Sequence, residues 1–258
     1  MIRALYTSAQ AMNTQMQSMD VIANNIANVN TTGFKSNTVV TQSFPQLLTR
    51  SMNLPVGEAP FGARQIGSMS LGTTISDISV NFTNGALEMT SGELDLAITG
   101  DGFFTVEAIN RAGEPVTMFT RAGSFSISAD GFLVTQSGYR VLNESGGHIA
   151  LEHGQIEISP DGVIAVNSNV AATLGLTAFE DNTLLRQHGY GLFTALPEAV
   201  QTDFSGQVSQ GFLERSNVNI IREMVNMVNV SRKYEINSRL VGMHDTTLGQ
   251  AVNEIARN

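Results

Sequence analysis

Apolar residues recur at three- and four-residue steps at both ends of this chain and not in its middle, a pattern that limits the possible folds more than any other feature. Near the start the row is Ile2, Leu5, Ala9, Met12, Met16, Met19, Ala23 and Ile26. Alternating steps of three and four make a heptad seam, the stripe by which one helix winds around another. A helix through residue 28 is about 40 Å long at 1.5 Å per residue. Asn28 to Gly33 supplies its stop, because Asn and Gly accept the left-handed conformation that closes helices. The end of the chain carries a second row, Ile220, Met224, Met227, Tyr234, Val241, Leu248, Val252 and Ile255, interrupted by Ser231, Ser238 and Asp245. It predicts a helix over residues 218–257 of roughly 60 Å, with Ser216 or Asn217 placed to cap it and Gly242 and Gly249 weakening it.

The middle is rich in Thr, Ser, Val, Phe and Gly, with short apolar runs broken by turn signals, and reads as mostly β structure. Asp101-Gly102, Asp130-Gly131 and Asp161-Gly162 are spaced 29 and 31 residues apart. Each is a turn signal, and the residues between them do not match well enough to define a propeller or solenoid. Pro45, Pro55 and Pro60 make residues 37–85 an extended connector with some β pairing. The predicted fold class is a mainly β central domain with long N- and C-terminal α-helices packed as a coiled-coil-like pair.

Charge narrows the choice of partner. Only 14% of the 258 residues are charged, against about 25% in an ordinary soluble domain. The net charge of -9 divides unevenly: residues 1–36 and 217–258 are each +1, so the middle carries -11. An acidic centre repels phosphate backbones and anionic headgroups, which argues against nucleic acid and membrane surfaces. No run of 18 apolar residues and no Sec-type leader is present, so membrane insertion is not expected. Without cysteine there is no disulfide or thiolate nucleophile. His148, His153, His188 and His244 lack metal-ligand spacing, and there is no nucleophile elbow or phosphate-binding loop. Neither a catalytic site nor a metal or cofactor is expected, although paired carboxylates among the 23 acidic residues remain open to meeting in space.

Three stretches resemble a known family, the axial proteins of the bacterial flagellar rod and hook. Ala23-Asn24-Asn25-Ile26-Ala27-Asn28 followed by Thr32-Gly33-Phe34-Lys35 is similar, almost residue for residue, to the family's N-terminal signature. Leu94 to Ile98 with Gly100 to Phe104, Thr120 to Phe125 and Asp130 to Val134 resembles its central β domain. Gln210 to Glu214, Ser216 to Asn219, Glu223 to Met227 and Tyr234 to Asn237 resembles its C-terminal signature. Residues 37–90 and 140–205 are poorly covered. Length and C-terminal run are similar to distal-rod proteins, whereas Phe44 to Leu48 and Ser91 to Asp95 look closer to other rod branches.

The resemblance implies a structural subunit of the basal-body rod, self-assembling into a helical tube that transmits torque. It also implies copies of itself and other rod and hook proteins as partners, delivery by the flagellar type III export apparatus without a Sec signal, and a place in the cell envelope. The implied layout pairs residues 1–36 with 217–258 as an assembly core, with 86–205 as the outer β domain and 206–216 as the return connector. A hook-type subunit and a monomeric β-rich adhesin are the alternatives.

Between residues 4 and 30 the only charge is Asp20, and Gln10, Thr14, Gln17, Asn24 and Asn28 fill the face opposite the seam. Seam spacing does not name a partner, so the seams close a helix pair within one chain, meet other copies, or do both. Amides on the opposite face can exchange hydrogen bonds with neighbours, where an unpaired charge costs several kcal/mol. Replacing Asn24 and Asn28 together by Asp is expected to block polymerisation while leaving the β domain folded; normal polymer yield in sedimentation assays is the contrary result.

Overall fold

The computed structural model describes residues 2–43, 47–50, 65–70, 72–109, 113–151, 154–189 and 191–255. They form two compact units, each assembled from discontinuous stretches of chain.

The first unit comprises Met1–Ile26, Asn37–Ser79 and Ile220–Asn258. It holds both helices, α1 (Ile2–Ala27) and α2 (Ile220–Ile255). It also holds β ribbons in which Asn37–Ser43 pairs with Thr73–Val80 and Leu47–Arg50 runs antiparallel to Gln65–Met69. Side chains tie α1 to the ribbon. The Thr14 hydroxyl lies 3.0 Å from both the Gln10 and Thr73 carbonyl oxygens. Asn25 donates from Nδ2 to the Asn37 carbonyl at 2.8 Å and accepts the Asn37 amide at 2.9 Å. A side-chain amide can thus satisfy a strand's free edge as a neighbouring strand would.

The second unit, Ala27–Ser36 with Val80–Asn219, contains most of the core. Its main sheet is antiparallel and nine-stranded, centred on Phe103–Ile109, which pairs with Pro115–Thr120, Arg140–Val141 and Leu176–Phe179. Alternation along that strand sends Phe104, Val106 and Ala108 into one aliphatic cluster with Leu133, Val141, Ile149 and Ile164. Phe103 joins a second cluster with Phe119, Phe179, Leu185 and Phe193. The rings there meet mainly edge to face, such as Phe119 on Phe179 at 4.9 Å between centroids, the geometry favoured by aromatic quadrupoles.

Two of the Asp-Gly pairs make the same hairpin turn. The Gly131 amide donates to the Ser128 carbonyl at 2.9 Å and the Gly162 amide to Ser159 at 2.8 Å. Asp101-Gly102 is different, because it joins strands that pair in different sheets. A Cβ on Gly102 would lie 2.5 Å from the Phe204 ring, so this glycine makes room for an aromatic.

The helices require a correction to the predicted fold class. The β-rich centre is present and the two helices pack together, but they do not form a coiled-coil-like pair on apolar seams. No described residue of α2 is buried, and the buried residues of α1 are Ser8, Thr14, Ile22 and Asn25, three of them polar. The ribbon is the physical reason. It competes for the faces of α1 and is met by hydrogen-bonding side chains, whereas a heptad seam would need an unbroken apolar stripe. Ile22 is the only buried hydrophobic of this unit among the described residues.

A unit whose described residues bury so little apolar surface opens locally at low cost. Brief trypsin treatment of the dilute chain is expected to cut after Arg232, Lys233 and Arg239 before any site in the second unit. Early cleavage at Arg121 or Arg140 with α2 intact, read by mass spectrometry, contradicts this.

Candidate assembly site and buried ion cluster

Lys35, Arg121 and Glu214 stand far apart in the chain and meet inside the second unit, where all three are nearly inaccessible. Lys35 Nζ lies 2.6 Å from Glu214 Oε1 and donates to the Thr83 carbonyl at 2.9 Å. The Gly85 amide donates to the same carboxylate oxygen at 2.8 Å. Arg121 approaches the other oxygen, Oε2, at 3.4 Å, gives a shorter bond of 2.6 Å to the Gly100 carbonyl, and holds its guanidinium over the Phe103 ring at 5.4 Å. Burial lowers the pKa of Lys35 below the usual lysine value, and the Glu214 charge and hydrogen bond oppose that shift. The Arg121 pKa is lowered for the same reason, again opposed by Glu214. Removing charges from water costs several kcal/mol per ion, so such a cluster persists only when its hydrogen bonds are nearly all made.

The backbone around the cluster is packed too tightly for side chains. Gly33 has φ +66, donates to the Glu214 carbonyl at 2.8 Å, and would carry its Cβ 2.4 Å from the Arg121–Ala122 peptide. A Cβ on Gly85 would overlap the Arg215 carbonyl oxygen, and one on Gly123 that of Leu96. Asn217 completes the clasp: its Oδ1 accepts the Ser36 amide at 2.8 Å and its Nδ2 donates to the Asn81 carbonyl at 2.8 Å and to that of Thr83 at 3.0 Å. It therefore joins two loops, while the Ser216 hydroxyl accepts the Val218 amide at 3.3 Å.

Of the signature residues singled out in the sequence, Gly33, Phe34 and Lys35 are buried in this second unit. Thr32 touches the Ser124 hydroxyl at 3.4 Å, and Asn28 Oδ1 accepts the Thr31 hydroxyl at 3.2 Å. Asn25 is buried in the first unit and Asn24 is exposed. Sequence reasoning missed Arg121 and Glu214. Their signal was a lone charge inside each of two signature runs of a chain that carries few charges.

The predicted seam residues divide by exposure. Leu5, Met12, Met19, Ile26, Met227, Tyr234, Val241 and Leu248 are partly covered. Ala9, Met16, Ala23, Ile220, Met224 and Val252 are exposed, and the side chains of Ile2 and Ile255 lie outside the described residues. The covered row instead passes through Ser8, Gln15 and Ile22 on α1 and through Val230, Asn237, His244 and Ala251 on α2. A groove of about 290 Å³ in this unit is lined by Ile22, Asn37, Val39, Asn226, Val230 and Lys233, among others. Among the described residues no three His, Asp or Glu side chains gather closely enough to hold a metal ion. His148 pairs with Glu107 at 3.1 Å, and His153 lies outside the described residues.

The three cluster residues fall one in each of the three stretches that match family models of flagellar rod and hook proteins. Family models match at three places: "Flagella basal body rod protein" over residues 5–35, "Flagellar hook protein FlgE/F/G D1 domain" over 97–166, and "Flagellar basal body rod FlgEFG protein C-terminal" over 209–254. The chain is 35% identical to the flagellar basal-body rod protein FlgG of Borreliella burgdorferi, covering 98% of both chains. It is 33% identical to the rod protein FlgF of Caulobacter vibrioides over 91% of this chain and 90% of that one. With FlgG of Bacillus subtilis the identity is 32%, over 98% and 99%. The chain belongs to the flagellar basal-body rod protein family. Its place is the flagellar basal body in the cell envelope, and its role is that of a structural rod subunit.

Lys35→Met leaves Glu214 without its closest cation and is expected to destabilise the second unit by about 3–5 kcal/mol, measured by urea unfolding. A loss within the experimental error would mean that Arg121 and the Gly85 amide alone satisfy the carboxylate.

Proposed function

We propose that this rod subunit polymerises by having neighbouring copies cover its helix unit, so that residues 1–36 and 217–258 form the assembly core of a torque-bearing tube. The observation that carries this reading is the mismatch within the first unit. Ile22 is its only buried hydrophobic among the described residues, while Ile221 (72%), Val228 (50%), Ile236 (59%) and Met243 (57%) stand exposed on α2. Fully burying a large aliphatic side chain contributes about 1.5–3 kcal/mol. Association itself costs roughly 4–15 kcal/mol, so one small contact does not hold a subunit and several in parallel do. A helical polymer supplies them, because its heterologous contacts repeat without closing.

The seam residues named from the sequence then act with their neighbours in the covered row, and the amide face of α1 meets polar groups of adjacent copies. Other rod and hook proteins continue the axis above and below. Delivery through the flagellar type III export apparatus belongs to the same reading. Family membership supports it, and the helix unit's described residues, with one buried hydrophobic among them, present little core to unfold. The reading assigns no catalysis to the chain; its work is mechanical.

Replacing Ile221 and Val228 together by Asp is expected to abolish incorporation into basal bodies, scored by electron microscopy. The second unit should unfold as before, within about 0.5 kcal/mol, since the changes are remote surface substitutions. Wild-type incorporation of the double variant would remove the α2 face from the assembly contact.

A further inference from the structure

Asn84-Gly85 is the one Asn-Gly pair in the chain. Asn-Gly is the dipeptide in which a backbone nitrogen most readily attacks the preceding side-chain amide, because glycine places nothing in the way of the five-membered ring. Packing prevents evolution from removing the glycine: a Cβ there would lie 1.8 Å from the Arg215 carbonyl oxygen. Asn84 is exposed in an irregular segment, so its side chain is not shielded by burial. The attacking atom, however, is engaged. The Gly85 amide donates to the buried Glu214 carboxylate at 2.8 Å.

We propose that Asn84-Gly85 is a latent deamidation site which Glu214 holds shut in the folded chain. The reaction requires the Gly85 nitrogen to lose its proton and turn toward Asn84 Cγ. A carboxylate accepting that proton in a hydrogen bond opposes both, since it disfavours a second negative charge beside it and fixes the orientation of the peptide. When the cluster opens, the nitrogen is released. The bond from Gly85 N to Asn84 Cγ forms, the bond from Cγ to the side-chain nitrogen breaks, and ammonia leaves with the proton. Water then opens the succinimide at either carbonyl to give aspartate or isoaspartate, with no change in oxidation state.

The product is poorly tolerated at this place. Thr83, the residue before Asn84, gives its carbonyl to Lys35 Nζ at 2.9 Å and to Asn217 Nδ2 at 3.0 Å. Isoaspartate lengthens the main chain by one carbon between that carbonyl and the Gly85 amide, and either product adds a carboxylate near Glu214. A chain that stays open long enough to react therefore re-forms the cluster less well, and the modification marks subunits that failed to close.

The test follows deamidation of the full-length chain at mildly alkaline pH, by the mass of the peptide containing Asn84 and by enzymatic methylation of isoaspartate. The folded chain is expected to react about tenfold or more slowly than the same chain in urea, in line with protection by local structure. Asn84→Gln should remove the fast product in urea, and Glu214→Gln in the folded state should speed the reaction toward the urea rate. Equal rates in folded and denatured wild-type chain would overturn the proposal, as would a folded Glu214→Gln chain that reacts no faster than wild type. If Glu214→Gln fails to fold, hydrogen exchange at the Gly85 amide of the wild type decides. Slow exchange supports the gate, and exchange as fast as at exposed loop amides refutes it.

Discussion

The carboxylate of Glu214, buried between Lys35 and Arg121, sets the geometry on which the second unit depends. Hydrophobic burial is non-directional and could be satisfied by many mutual arrangements of the four stretches of chain involved. A buried ion cluster cannot, because each unmade hydrogen bond leaves a charge or a carbonyl desolvated. Ions and amides in fixed positions thus select one path for residues 33–36, 81–85, 121–123 and 214–217. The glycines follow from that choice. Gly33, Gly85 and Gly123 each lie where a Cβ would strike a neighbouring peptide, so the backbone itself forms the wall around the charges.

The two units spend the chain's apolar residues in opposite ways. In the second, alternation along Phe103–Ile109 feeds one cluster from each face of the sheet, and the rings of Phe103, Phe119, Phe179 and Phe193 close the smaller one. In the first, hydrogen bonds from Thr14 and Asn25 fix α1 to its ribbon while large apolar side chains on α2 face outward. Specificity there is present before cohesion is. A polar clamp can hold a helix in the right rotation without supplying much stability, since a net hydrogen bond contributes about 0.5–1.5 kcal/mol.

How much of this was legible follows from what each signal measures. Three-and-four spacing reports that a segment is helical and which of its residues are apolar, and α1 and α2 are where it placed them. It does not report which neighbour covers the stripe, so Met16 and Met224 were expected on a closed seam and stand exposed. The Asp-Gly pairs are local signals and were readable as turns at Gly131 and Gly162. At Gly102 the requirement is a long-range one, the Phe204 ring, which no local pattern encodes. Lys35 was visible within its signature. Its counter-ion was not, because Glu214 lies 179 positions along the chain and any acidic residue is an equally good candidate until the fold is known. Asn25 was visible only as part of a signature run, and its work as a surrogate strand edge depends on Asn37 lying beside it.

The scarcity of charge connects these features. A surface facing water is well served by Lys and Glu, and an ordinary soluble chain uses them freely. Here the buried charges among the described residues meet in one place, the Lys35–Glu214–Arg121 cluster, and charge is nearly absent from α1, whose polar positions are Gln, Asn, Ser, Thr and Tyr apart from Arg3 and Asp20. An amide carries donors and an acceptor in one group and can satisfy itself against water, backbone or another amide. A surface built of such groups tolerates being exposed in the free subunit and covered in a polymer, whereas a charged one would demand an opposite charge at a matching place in every neighbour. On the proposed reading, that tolerance is why α1 presents amides and hydroxyls where a solvated helix would carry Lys and Glu.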